Sequence, residues 1–267
     1  MINGKTIVIT GASSGIGVET LKLLCSGEDN RILAVARHTE KLEGMGENVI
    51  PFSCDVGSAE GVERIFEKAE SLFGHIDLFI ANAGFPYYEE FNYTDWGRME
   101  RLFSTNALSP MYTYARYLRH LDGREGHLAM TISAMGQMAM PGYALYGASK
   151  FALHGFQQGI RLEMPKNMKL TCLYPVSTAT NFFRVAGEGR SVDRPFPVQE
   201  PETVARKFVA GLEKGKKSVF PCGLFTFAKG LMGVLPPVRT VYWRIEGAKF
   251  DRYRSAAGEK KEEASHV

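Results

Sequence analysis

Only four cysteines stand in this chain of 267 residues, and no two of them form a Cys-x-x-Cys pair. Cys25, Cys54, Cys172 and Cys222 are too scattered for a disulfide framework or a zinc site, so they are expected as reduced, mostly buried thiols. The six histidines form no ligand-spaced cluster, and no metal is expected. There is no apolar run of the roughly 18 residues that a membrane span requires. The nearest candidate, 223–238, is interrupted by Lys229 and by Pro236-Pro237. A net charge of +3 is too slight to imply a nucleic-acid partner. Met1-Ile2-Asn3-Gly4-Lys5 runs straight into a strand pattern, which reads as a chain without a signal peptide and an expected cytoplasmic protein.

Apolar residues make up 45% and charged residues 23%, the balance of a globular protein. The length fits one sizeable α/β domain better than two small ones. Strand-like runs at 6–10, 31–36, 48–54, 77–81, 126–133, 168–174 and 218–222 alternate with helix-like stretches near 17–26, 58–73, 95–120, 146–163 and 201–214. Strands separated by helices pair in parallel with right-handed crossovers, so the expected fold class is α/β, a Rossmann-like doubly wound parallel sheet of about seven strands with helices on both faces. One domain is expected over 1–257, with a C-terminal extension from about 223. The charged tail 258–267 lacks apolar periodicity and is expected to be disordered.

Thr10-Gly11-Ala12-Ser13-Ser14-Gly15-Ile16-Gly17 follows the first strand and opens the first helix. Glycines at that junction permit a tight turn and close approach of a pyrophosphate to a helix N-terminus. The second strand ends Ala34-Val35-Ala36-Arg37-His38, without the acid that would hold a ribose diol and repel a 2′-phosphate. Arg37 can instead fork onto a phosphate, which predicts NADP(H). Further on, Tyr146 and Lys150 are four residues apart on a helix pattern and share one face. A free phenol titrates at roughly 10. A neighbouring ammonium is expected to lower that value and turn Tyr146 into a usable acid and base.

Taken with Asp55-Val56, Asn82-Ala83-Gly84, Asn106 and Ser133, the glycine loop and the Tyr146-x-x-x-Lys150 pair resemble the short-chain dehydrogenase/reductase family over about residues 4–222. The resemblance implies a catalytic tetrad of Asn106, Ser133, Tyr146 and Lys150. It implies that Gly11, Ser13, Ser14, Gly15 and Ile16 border the cofactor phosphates and ribose, that Asp55 and Val56 flank the adenine, and that Asn82, Ala83 and Gly84 line the cofactor. Lys150 would also hold the nicotinamide ribose, and Asn106 would position a water between Lys150 and solvent. Pro175, Val176, Thr178 and Thr180 would complete the nicotinamide side. Two departures from the family pattern occur: Ala81-Asn82-Ala83-Gly84 for Asn-Asn-Ala-Gly, and Pro175-Val176 for Pro-Gly. Valine is bulky and resists positive φ, which unsettles the expected nicotinamide seat.

In the same family frame, Met135, Met138 and Met140 lie on the loop from Ser133 to the tyrosine helix and border the substrate with Ser133, Tyr146, Phe182 and Phe183. Phe85, Pro86, Tyr87 and Tyr88 are candidates for another wall, and 178–197, with Phe196, stands where relatives carry a lid. This predicts an apolar ketone or secondary alcohol as substrate, lipid-, steroid- or aromatic-like. One alternative is a reductase of 3-oxoacyl carrier-protein thioesters, with Arg98, Arg101, Arg116 and Arg119 meeting an acidic carrier. The other is a catalytically idle NADP-binding protein. The family also implies a homodimer or homotetramer through helices 95–120 and 146–163. The segment 223–244, aromatic and basic, suits a helix that covers the pocket, a subunit contact or a peripheral membrane contact.

Overall fold

The computed structural model describes the backbone of residues 1–265 and the side chains of residues 1–256, and the expected tail 258–267 lies outside the residues so described in full. Seven strands form one sheet: β1 (Thr6–Thr10), β2 (Arg31–Ala36), β3 (Val49–Ser53), β4 (Leu78–Ala81), β5 (Gly126–Thr131), β6 (Met168–Leu173) and β9 (Ser218–Val219). Their order is β3-β2-β1-β4-β5-β6-β9, and every pairing is parallel. The central strands read as continuous apolar runs because both faces are covered: Ile7, Val8 and Ile9 of β1 are all fully buried. Two short strands, β7 (Ser177–Thr178) and β8 (Val198–Gln199), pair apart from this sheet.

Helices α1 (Gly15–Cys25) and α7 (Pro201–Glu213) cover one face, with Leu21, Leu24, Val204 and Phe208 against Ile7, Ile9 and Ile32. On the other face lie α2 (Ala59–Phe73), α4 (Ser109–Leu121) and α5 (Ala144–Glu163), packing Phe66, Tyr117 and Leu153 against Val8, Phe79 and Leu128. The long helix expected over 95–120 is instead two: α3 (Trp96–Phe103) and α4, joined by a π-helical turn, Ser104–Leu108. Such turns carry one extra residue and mark functional positions; Asn106 lies inside this one. The lid segment contains the short helix α6 (Phe182–Ala186). Two further helices close the C-terminal region, α8 (Gly223–Val234) and α9 (Pro236–Ser265). No helix among the described residues is long and apolar enough to cross a membrane.

Strand order reverses between β1 and β4, whose connections run to opposite sides. In doubly wound sheets a ligand crevice opens there, beyond the carboxyl ends of the strands. The ends of β1, β4, β5 and β6 lead directly into Gly11, Asn82, Ser133 and Pro175, the segments singled out by sequence.

Candidate active site

A cleft of about 280 Å3 opens over this reversal point. Gly11, Ser14, Gly15 and Ile16 line its phosphate side. The glycines there cannot be replaced freely. Gly11 has φ of 66°, and a Cβ on it would stand 2.9 Å from the Ala83 Cα. At Gly17 a Cβ would stand 2.1 Å from the Gly11 carbonyl oxygen. Ser14 is the N-cap of α1, yet its side chain makes no capping bond, and the first turn holds no acid. The leading N–H groups of α1 are therefore left for an external acceptor. Arg37 also lines the cleft, exposed, and has no carboxylate partner among the described residues. An open helix N-terminus, glycines that admit backbone to a close approach, and a free guanidinium fit a phosphorylated dinucleotide.

Asn82 ties three strand ends together. Its Nδ2 donates to the Thr10 carbonyl (3.1 Å), and its Oδ1 accepts from Thr131 Oγ1 (3.0 Å). Lys150 Nζ donates to the Thr131 carbonyl at 3.0 Å, so Lys150 joins the same knot. Gly84 passes between Lys150 and Asn106: a Cβ there would meet Asn106 Oδ1 at 3.0 Å and Lys150 Nζ at 3.5 Å.

Ser133, Tyr146 and Lys150 line the cleft together, all buried. Ser133 follows β5 with φ 152° and ψ 157°, a region that side chains rarely adopt. Its Oγ accepts from Met135 N–H at 3.1 Å. That bond occupies an acceptor site and leaves the hydroxyl hydrogen to point elsewhere. Burial holds the Tyr146 phenol up at about 12, opposed by the neighbouring Ser133 hydroxyl, and burial draws Lys150 down to about 7. Burial thus moves Tyr146 in the direction opposite to that expected from Lys150. The Lys150 nitrogen is 5.8 Å from the Tyr146 ring centroid and turned to Thr131, and burial sets the direction of the Tyr146 shift.

Asn106 is fully buried and does not line the cleft. Its Oδ1 accepts from Phe85 N–H at 3.0 Å, and its Nδ2 donates to the Phe85 carbonyl at 2.8 Å and to Ser149 Oγ at 3.3 Å. It pins the loop after β4 while keeping its carbonyl oxygen near Lys150. Ser13, Asp55 and Val56 also fall outside the lining. Val56 is buried, and Asp55 Oδ1 accepts from Gly57 N–H in a local turn.

Pro175, Val176, Thr178 and Thr180 all line the cleft. Val176 does not adopt positive φ and packs against Ala134, Cys222 and Phe225, so the departure from glycine imposes no backbone strain. Thr178 Oγ1 donates to the Val176 carbonyl at 2.9 Å.

The opposite wall is apolar. Met135, Met138, Met140, Phe182, Phe183 and Phe85 line it, with Phe182 set edge-on to the Tyr146 ring at 5.4 Å. Tyr87 and Tyr88 are buried behind it rather than facing it. Three lining residues carried no motif that would single them out: Val185 on the lid, Phe225 on α8 and Tyr242 on α9. Tyr242 Oη donates to the Phe196 carbonyl at 2.7 Å, and Trp243 Nε1 donates to the Ala139 carbonyl at 2.9 Å. Helix α9 thus fastens the lid and the methionine loop at once. Phe250 and Tyr253, further along α9, pack on Tyr88.

A doubly wound parallel sheet with a glycine-lined phosphate crevice and a buried Ser-Tyr-Lys group defines a dinucleotide-binding oxidoreductase. The sequence profile described as short chain dehydrogenase matches residues 5–191, and the chain belongs to that family. It is 30% identical over 251 residues, 88% of this chain and 70% of the relative, to the uncharacterized oxidoreductase YxnA of Bacillus subtilis. It is 26% identical over 262 residues, 94% of this chain and 86% of the relative, to estradiol 17-beta-dehydrogenase 11 of Homo sapiens. Among solved structures, an alcohol dehydrogenase from the archaeon Thermococcus sibiricus, complexed with 5-hydroxy-NADP, superposes with a TM-score of 0.68 at 25% identity, covering 78% of this chain and 90% of that one.

Proposed function

We propose that the protein interconverts a ketone and a secondary alcohol on an apolar substrate, with NADP(H) as its cofactor. The observation that carries this reading is the convergence of Ser133, Tyr146 and Lys150 between a dinucleotide-shaped crevice and a methionine- and phenylalanine-lined wall. Gly11, Ser14, Gly15 and Ile16 would hold the phosphates, Arg37 the 2′-phosphate, and Asn82, Ala83, Gly84, Val176 and Thr180 the nicotinamide half. When bound, the nicotinamide exchanges a hydride with the carbon of the substrate carbonyl.

The chain's own residues manage the proton. In reduction, negative charge grows on the carbonyl oxygen; Tyr146 Oη delivers a proton to it, and the Ser133 hydroxyl donates a hydrogen bond to it. A phenol held high is fully protonated at neutral pH, as a proton donor must be. An anionic cofactor in the crevice favours the charged form of Lys150, and the charged form in turn eases proton loss from Tyr146. The acid therefore strengthens as the cofactor arrives.

The carrier-protein alternative keeps only part of its supporting patch. Arg98 is paired with Glu89 and Glu188, Arg116 with Glu63 and Glu70, and Arg119 lies 3.6 Å from Glu63. Arg101, the fourth arginine of that patch, is exposed and has no carboxylate partner among the described residues, so it alone remains free there for an acidic carrier. The idle-protein reading conflicts with retention of all four tetrad residues. Self-association is proposed through the 95–120 segment, which forms α3 and α4, and through α5, on which Phe151 and Leu162 are exposed.

The test is a panel of lipid-like, steroid-like and small polar ketones followed by NADPH absorbance. Turnover of apolar ketones with NADPH well above NADH is expected. Failure of every ketone and alcohol, with NADPH still bound, would sink the catalytic reading.

A further inference from the structure

Between Glu213 and Glu246 the chain contains no aspartate or glutamate, yet it holds Lys214, Lys216, Lys217, Lys229, Arg239 and Arg244. With 29 acidic residues in 267 overall, so long an acid-free stretch is set apart from the rest of the chain. It contains α8 and the first turns of α9, which meet at Leu235-Pro236. Helix α8 buries one apolar side chain, Phe225, and turns Leu224, Phe227, Leu231 and Val234 outward. Their spacings of three and four place them on one helical stripe. Phe227 is 72% exposed and Val234 78%. Beyond the corner, Val241 and Ile245 of α9 are also exposed, four residues apart. The neighbouring Tyr242 and Trp243 are the side chains that bind back to the lid and the methionine loop, which leaves Val241 and Ile245 directed away from the body. Arg239 and Arg244 are exposed and have no carboxylate partner among the described residues.

We propose that the α8–α9 corner is a docking surface for an anionic lipid bilayer, lying within the interface rather than crossing it. The apolar stripe would sink to the acyl boundary while Arg239 and Arg244 meet lipid phosphates. A second copy of the chain is a poorer occupant. An isologous contact through this corner would set unpaired Arg239 and Arg244 near their own counterparts. The chain also exposes separate apolar residues on α5, Phe151 and Leu162, that suit a subunit contact. Phe225 and Tyr242 adjoin the stripe and line the cleft, so docking brings the apolar wall of the cleft to the bilayer. The surface stands on its own, independent of the ketone–alcohol reading.

Flotation of the full chain with vesicles decides the matter. Vesicles of phosphatidylglycerol and phosphatidylcholine are expected to carry the wild type upward, with about tenfold less protein on pure phosphatidylcholine or in high salt. The double variant Phe227→Asp/Leu231→Asp is expected to stay at the bottom while keeping its NADPH affinity and its turnover of a soluble ketone. A second variant, Arg239→Glu/Arg244→Glu, is expected to lose preference for the anionic vesicles. A wild type that never floats, or that floats equally on neutral vesicles, overturns the proposal, as does unchanged flotation of the aspartate variant. Light scattering that shows an oligomer dissociated by the aspartate variant, with no vesicle binding by either protein, would assign the corner to a second copy. Turnover is read in the same samples, so failure of docking and failure of the catalytic reading are separate results.

Discussion

On the phosphate side of the cleft, Gly11, Asn82 and Ser133 hang directly from the ends of β1, β4 and β5, and their positions are set by backbone geometry and short polar bonds. Across the cleft, Met138, Phe182, Phe196 and Tyr242 arrive from a loop, a short helix, a lid and a helix more than a hundred residues further along the chain than Met138. The first side has strand ends that cannot shift without disturbing the sheet. The second is a set of apolar side chains held by a few tethers, among them Tyr242 to Phe196 and Trp243 to Ala139. Rigid elements place chemistry accurately, and loops on a scaffold vary specificity. One half should therefore govern cofactor and rate, the other the choice of substrate.

Substitutions can break that division. The largest effect is expected at the seam: Tyr146→Phe should lower kcat by roughly a hundred- to ten-thousandfold while NADPH affinity, read by fluorescence titration, changes little. Near-normal turnover would remove Tyr146 from the proton transfer. Next comes Lys150. Its folded value near 7 lies below the unfolded value near 10.5, so the unfolded chain binds more protons between these limits, and ligand-free stability rises with pH across that window. Below about 7 the cost of burying the charge is fully present. Lys150→Met removes it, and should be more stable than the wild type at pH 6 by on the order of 3 kcal/mol, a gap that closes toward pH 10 in denaturant titrations. A gap independent of pH would show that Lys150 is charged throughout.

Arg37→Ala belongs wholly to the phosphate side. It should weaken NADPH binding about ten- to hundredfold, the loss of a charge-assisted bond of roughly 1.5–3 kcal/mol, and leave NADH affinity unchanged. Equal losses for both cofactors would detach Arg37 from the 2′-phosphate. The smallest effect is expected at Tyr242→Ala, which frees the lid tether and trims the apolar wall. KM for bulky ketones should move severalfold, about 1 kcal/mol, with cofactor affinity constant. A change in NADPH affinity instead would show that the two sides are not separable.

The same division decides what could be read without the fold. The glycine loop, Arg37, Asn82 and the Tyr146/Lys150 spacing were legible because backbone turns and helix faces leave fixed intervals between residues. Central strands such as β1, β2 and β4 were legible because buried parallel strands read as apolar runs. Val185, Phe225 and Tyr242 were foreseen only as parts of the lid and of a segment that could cover the pocket, since an apolar wall assembled from distant elements has no required spacing. The direction of the Tyr146 shift was also hidden. Spacing places a lysine on the right helix face, but only the fold shows Nζ turned toward Thr131 and both groups cut off from water. The break in the long helix at Ser104–Leu108 escaped for a similar reason, because one inserted residue barely alters the apolar pattern.

Ser133 has a consequence for how this protein tolerates change. Its backbone sits where a glycine would rest at ease, so the hydroxyl is kept in place against a local preference of the chain. Ser133→Gly should accordingly gain thermal resistance as it loses turnover. Any search for hardier variants by heat challenge alone would then be drawn toward inactive proteins at this position, and activity has to be screened alongside it.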